Sequence, residues 1–263
     1  MGTALLKELE EQINLEDSKY KYLSVFNFKF HKKRYLKDLK IISKIFKKGK
    51  ILDLGASPFH ETFLLKKLGY DITGVDFNQD RYKTFVENNK LEIIKADIEK
   101  DRLPIKDETF NLILMNEVIE HLTNPIHALL EANRILKKDG KIMLTTPNLY
   151  YFSRVIKYLM GKGALASAYG EFAKKYSVST FGHIREYTNA EIKELLTNTN
   201  YKIIKKWYRK DTAPITPLRA IIRTITYMLP FLRPYQVFIA GKDIRREECL
   251  KKLENPPKLP KVD

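Results

Sequence analysis

Two short polar blocks hold the side chains best suited to move a proton or hold a cation. The first, EVIEHL at residues 117–122, carries Glu117, Glu120 and His121. Read as a helical turn, their i, i+3 and i+4 spacing sets all three on one side. The second, GHIREYT at residues 182–188, carries His183, Arg185, Glu186 and Tyr187. Carboxylates and imidazoles together can prepare a hydroxyl for attack in two ways. A histidine near its ordinary pKa of about 6.5 takes the proton as a general base, or a metal acidifies the hydroxyl. His121 and His183 are candidates for either role, and Arg185 and Tyr187 are candidate substrate contacts. Plainer readings stand beside these. His121 can be a partly buried structural histidine. Thr188 and Glu191 have the spacing of a capping box for a helix over 189–198.

The elements that must position these blocks alternate along the chain. An apolar run, Ile51 to Leu54, ends in the turn Gly55-Ala56-Ser57-Pro58, and helix-like sequence follows from Glu61 to Leu68. A second strand-like run, Tyr70 to Val75, ends at Asp76, 21 residues after Gly55. A small-residue turn followed some 20 residues later by an acid is the layout of a nucleotide-binding crossover. Further strand-like runs cover 91–96, 110–115 and 141–146, the last after the Lys138-Asp139-Gly140 turn. Helix-like stretches at 80–89 and 125–137 separate them. Strands over 201–208 and 235–241 close the pattern. Such alternation predicts a mainly parallel sheet with helices on both faces.

The order of these motifs resembles the class I S-adenosylmethionine-dependent methyltransferases, and within them the group that includes the ubiquinone-pathway O-methyltransferases. The resemblance covers roughly residues 45–210. It implies an α/β, Rossmann-like fold: a seven-stranded, mostly parallel sheet with an antiparallel last strand. It also implies an enzyme that binds S-adenosylmethionine. Carried over residue by residue, Asp53 orients the ammonium of the cofactor's amino-acid tail, and Gly55, Ala56 and Ser57 pass close to tail and ribose. Asp76 takes the ribose diol and Phe77 covers one adenine face. Asp97 accepts from the adenine amino group, Ile98 packs on the ring, and Asn116 sits beside the methyl group. The turn departs from the family's usual pattern, because Ser57 and Phe59 stand where further glycines are common. Gly55 remains at the position that most needs close approach or a positive φ.

Glu-x-x-Glu-His followed by a remote His-x-x-Glu-aromatic-Thr resembles the plant and bacterial small-RNA 2′-O-methyltransferases. That resemblance implies a Mg²⁺ or Mn²⁺ held by Glu117, Glu120, His121 and His183. The first motif is also common in relatives with no known metal. GHIREYT after an aromatic segment resembles methyltransferases encoded with cell-envelope sugar genes. The acceptor expected on that ground is a hydroxyl of a sugar, glycan or small metabolite, phosphorylated or lipid-linked forms included. An RNA 2′-O-methyltransferase and a non-catalytic cofactor-binding scaffold are the alternatives.

Composition bounds the rest. The chain has 263 residues, 44% hydrophobic, and a net charge of +16. The excess lies in the flanks: +7 over residues 1–50, −3 over 51–150, +3 over 151–200 and +9 over 201–263. A basic rim attracts anions such as RNA, phosphorylated sugars or a membrane surface, though lysine-rich composition alone has the same look. One cysteine, Cys249, excludes an intramolecular disulfide framework and fits a reducing, cytoplasmic setting. Nothing at the start reads as a signal peptide, and no run reaches the length of a membrane span. The expected organisation is a basic helical segment over 1–44, a methyltransferase domain over 45–242 and a mobile tail over 243–263. Residues 149–182 form an aromatic insertion or lid, with Gly161 and Gly163 as candidate hinges. Residues 212–234 form an amphipathic insertion that either covers the sheet or a partner copy, or lies on the inner face of an anionic membrane.

Overall fold

A computed structural model of the protein describes residues 2–163, 182–210 and 217–244. Most of the aromatic insertion and most of the C-terminal tail lie outside these residues.

The predicted alternation is present. The sheet is built from β1 (Lys50–Leu54), β2 (Asp71–Asp76), β3 (Glu92–Lys95), β4 (Phe110–Asn116), β5 (Leu136–Pro147), β6 (Tyr201–Arg209) and β7 (Tyr235–Lys242). Their order is β3-β2-β1-β4-β5-β7-β6. The pairs from β3 to β5 are parallel, while β7 runs antiparallel to both β5 and β6. Strand order reverses between β1 and β4, so the carboxyl ends of these strands open onto the crevice where such sheets bind ligands.

Apolar side chains cover both faces. One core joins the sheet to α5 (Pro125–Ile135) and α7 (Asn189–Asn198) through Leu129, Ala132, Ile192 and Leu196. The other joins it to α1 (Gly2–Asn14), α2 (Lys21–Ile45) and α3 (His60–Lys67) through Leu9, Ile13, Phe28, Leu39, Ile42 and Phe63. Residues 1–44, set apart by charge in the sequence, thus contribute a large share of the second core. The further described helices include α6 (Phe152–Leu159) and α8 (Pro217–Met228).

Local signals explain several boundaries. Thr188 accepts from the Glu191 amide and the Glu191 side chain accepts from the Thr188 amide, the expected capping box of α7. Asn124 caps α5 by accepting from His127, with Pro125 in the first turn. Two boundaries differ from expectation. β5 begins at Leu136, so Lys138-Asp139-Gly140 lies within the strand. Leu136 is fully buried and pairs with Phe110 ahead of a register shift in β4, which favours extended backbone there. The expected helix over 80–89 is a 3₁₀ turn, Gln79–Tyr82, followed by the short α4, Lys83–Asn88.

Candidate functional site

A cavity of about 1170 Å³ opens at the carboxyl ends of β1, β2 and β4. Its floor is the turn after β1. Gly55 has φ +70°, and a Cβ there would lie 2.8 Å from Val118 Cγ2. Its amide and that of Ala56 donate to the Val75 carbonyl, which ties the turn to β2. Asp76 accepts from the Ser57 amide at 3.2 Å and the Asn78 amide at 2.9 Å. Its carboxylate is thereby fixed at the wall, and burial raises its pKa. Phe77 stands exposed at the rim. Asp97 and Ile98 line the far wall, with Asp97 accepting from the Glu99 amide and pairing with Lys100 at 3.0 Å. Gly55, Ser57, Asp76, Phe77, Asp97, Ile98 and Asn116 all line this one cavity.

Two carboxyls lie behind that wall. Asp53 is buried and accepts from Thr62 Oγ1 at 2.7 Å. Burial pushes its pKa up to about 6. Glu61, in the first turn of α3, accepts from Asn116 Nδ2 at 3.0 Å. Burial, then the charges of Asp38 and Asp53, push it up to about 8. Glu61 Oε1 and Asn116 Oδ1 are buried without hydrogen-bond partners. Acceptors crowded in this way suit a cationic group such as the ammonium of an amino-acid tail. Ala56 is buried outside the cavity lining.

This environment sets a pH dependence. Glu61 holds its proton more tightly in the folded chain than in the unfolded one. Its contribution is therefore full below the unfolded pKa and lost as pH rises through about 8. Glu61→Gln should melt at higher temperature than the parent at pH 8, with the gap closing toward pH 5. Thermal melts of both ligand-free proteins check this, and a gap that does not change with pH would remove the assignment.

The two polar blocks meet at the opposite rim. The amides of Ile184 and Arg185 both donate to the Glu120 carbonyl. The His121 and His183 ring centroids lie 4.9 Å apart, nearly perpendicular. Among the described residues, Glu120, His121 and His183 bring ligand atoms within 4.8 Å of one another. His121 Nδ1 lies 3.2 Å from the Gly182 carbonyl, and His183 Nδ1 lies 3.0 Å from Glu186 Oε1. Both partners accept, so each Nδ1 carries a hydrogen, and in the neutral ring Nε2 holds the lone pair. Glu186 is buried and also pairs with Arg154. Glu120 is buried, with Oε2 accepting from Thr146 Oγ1 at 2.9 Å and Oε1 without a hydrogen-bond partner. Burial, reinforced by Glu117, pushes its carboxyl well above the usual range. An unsatisfied buried carboxylate oxygen beside two imidazoles fits a divalent cation. Two nitrogens among three donors favour Mn²⁺ over Mg²⁺.

Glu117 is not part of this group. It sits at φ +57°, and the 3₁₀ turn begins only at Ile119, so the helical spacing assumed from sequence does not apply. Its carboxylate turns the other way. It accepts from Thr145 Oγ1 at 2.9 Å and lies 3.7 Å from Arg34 and 3.6 Å from Arg209. Arg209 in turn pairs with the buried Asp38 at 2.5 Å. Glu117 still lines the cavity, whereas Arg185 and Tyr187 do not. Arg185 pairs with Glu191 and lies over the Tyr187 ring, while Tyr187 is buried in the first core.

The cavity also has a wall that the motif reading missed. Tyr22, Phe26, Asn27, His31, Arg34 and Tyr35 of α2 line it, as does Tyr235, beside Tyr151 and Arg154 from the start of the expected aromatic insertion. Burial, then Arg34, lowers His31 to about 4, so that ring is neutral near pH 7. The α2 residues recur at helical spacing, a signal present in the sequence but attributed there to a separate basic segment.

A family model described as a methyltransferase domain matches residues 28–206. The chain belongs to the class I S-adenosylmethionine-dependent methyltransferases. A ubiquinone biosynthesis O-methyltransferase of Pelagibacter ubique is 29% identical over 140 residues, 50% of this chain and 58% of that one. An uncharacterized protein of Methanocaldococcus jannaschii is 32% identical over 112 residues, 42% of this chain and 50% of that one. The chain spans about half the length of the curated relatives it matches. A solved S-adenosylmethionine-dependent methyltransferase from Archaeoglobus fulgidus shares the fold with a TM-score of 0.59 at 18% identity. That match covers 84% of this chain and 100% of the other.

For this methyltransferase, Asp76→Ala should weaken S-adenosylmethionine binding at least tenfold, about 1.4 kcal/mol, as loss of a charge-assisted hydrogen bond implies. Titration calorimetry measures it, and unchanged affinity would refute the ribose role of Asp76.

Proposed function

We propose that the protein methylates a hydroxyl of a sugar or other small metabolite, drawing the methyl group from S-adenosylmethionine, with a divalent cation held by Glu120, His121 and His183. The observation that carries this reading is the convergence of those three side chains at the rim of the cofactor-type cavity. The Pelagibacter relative, a ubiquinone biosynthesis O-methyltransferase, supports a small-molecule oxygen acceptor.

The chain's own residues supply binding and orientation. Asp76 and the Gly55 turn hold the ribose and tail, Phe77 and Ile98 flank the base, and Asp53 and Glu61 set buried carboxyl acceptors behind the tail. Bound S-adenosylmethionine supplies an electrophilic methyl group on sulfur. Glu186 and the Gly182 carbonyl hold the two imidazoles through their Nδ1 atoms. A cation bound among Glu120, His121 and His183 would acidify an acceptor hydroxyl. Tyr22, Phe26, Tyr151 and Tyr235 offer aromatic faces to the acceptor, while Asn27 and His31 offer hydrogen bonds to its hydroxyls. Arg185 and Tyr187 support the second polar block rather than the acceptor.

The test supplies methyl-labelled S-adenosylmethionine and an extract of the source cells to the full chain, with EDTA and with added Mn²⁺. Label in a nuclease-resistant small-molecule or glycan fraction, lost on chelation and restored by Mn²⁺, is expected. Nuclease-sensitive label would replace this reading by RNA 2′-O-methylation. Label insensitive to EDTA would remove the metal and leave His183 as a base.

A further inference from the structure

By sequence, the most basic part of the chain is its last quarter. Residues 201–263 carry +9. Within the described part, Lys37 of α2, Lys210 beyond β6 and Arg223 of α8 converge on a separate surface pocket of about 420 Å³, completed by Thr224 and Tyr227. Lys210 Nζ stands 4.9 Å from the Tyr227 ring centroid. None of these residues lines the larger cavity.

Beside this pocket the helix turns apolar groups outward. Ile221, Tyr227 and Met228 are 60%, 68% and 77% exposed, and Leu229 and Phe231 are exposed with them. A single exposed apolar side chain is ordinary, but five within eleven residues form a patch. An apolar patch bordered by cations and a tyrosine has the chemistry of the boundary between headgroups and acyl chains. No described helix is long and apolar enough to cross a membrane, so contact through this helix would lie along the surface.

We propose that α8 and the turn after it dock on an anionic phospholipid surface, with a headgroup phosphate held among Lys37, Lys210 and Arg223. Charge complementarity selects the lipid. Three cations surround one opening, and the apolar side chains next to it have no role in binding a small soluble anion. The inference does not depend on the acceptor or the metal.

The experiment is sedimentation of the full chain with vesicles of phosphatidylcholine alone and with about one third phosphatidylglycerol. Binding to the anionic vesicles, weakened by salt, is expected. Each cation near such a surface contributes roughly fivefold, so Lys37→Gln, Lys210→Gln and Arg223→Gln together should lower partitioning on the order of a hundredfold. Met228→Ser with Leu229→Ser should lower it about tenfold with the cations intact. S-adenosylmethionine affinity equal to that of the parent serves as the folding control for both variants. Equal binding to neutral vesicles, or a triple variant that partitions like the parent, would overturn the proposal. So would stabilisation by inorganic phosphate without any vesicle binding, which would assign the pocket to a soluble anion.

Discussion

Glu120→Gln is expected to lower methyl transfer by a hundredfold or more, to abolish Mn²⁺ binding, and to leave S-adenosylmethionine affinity within about threefold. The magnitude follows from first-ligand loss, since outer partners of metal ligands alone cost about 10- to 100-fold. The separation of effects follows from position. Glu120 touches Thr146 and the two-histidine rim, whereas Gly55 and Asp76, the residues proposed for tail and ribose, belong to other parts of the cavity lining. Stability should move in the opposite direction. Oε1 of Glu120 is buried without a hydrogen-bond partner, and a neutral amide of the same shape avoids desolvating a carboxylate. A purely structural glutamate predicts unchanged Mn²⁺ binding. A misfolded variant predicts lost cofactor affinity. The combination of lost metal, retained cofactor and a raised melting temperature is specific to a ligand. His183→Ala should reproduce the loss of metal and turnover, and Glu186→Gln a smaller loss, because Glu186 acts through others, holding Nδ1 of His183 and pairing with Arg154.

Asp38→Ala is expected to destabilise the fold by about 3–5 kcal/mol, the cost of leaving a buried charge without its partner. For a chain of this length that is a fall in melting temperature on the order of 10 °C. Asp38 is fully buried, Arg209 nearly so, and their 2.5 Å contact joins α2 to the end of β6. Arg34 lies 3.9 Å from the same carboxylate and bridges to Glu117. Burial nevertheless pushes Asp38 above its ordinary pKa, against the pull of Arg209 and Arg34. The pair is therefore costly to form as well as costly to break. Asp38→Leu with Arg209→Met should recover most of the loss, since apolar groups of similar size avoid both desolvation terms. Differential scanning calorimetry of the single and double variants measures this. Additive losses in the double variant would refute the coupling.

What the sequence by itself determined is local or periodic. The capping box at Thr188 and Glu191 spans four residues and needs no tertiary contact. The strand, the Gly55 turn and the acid at Asp76 were readable because crossover geometry fixes their spacing, and all three meet at the cavity. The meeting of EVIEHL with GHIREYT was anticipated only through the resemblance to the small-RNA 2′-O-methyltransferases, whose metal ligands come from both blocks. Only the tertiary structure decided which side chains of those blocks face one another. Glu117 follows two guanidiniums supplied by α2 and β6, and its positive φ breaks the helical spacing that would have grouped it with Glu120. Arg185 and Tyr187 are drawn to a cap and a core by neighbours remote in sequence. The α2 wall of the cavity, Tyr22 to Tyr35, depends on how a helix packs across a sheet formed later in the chain. Side-chain direction at such points is set by burial and charge pairing between distant segments, and no local pattern encodes it.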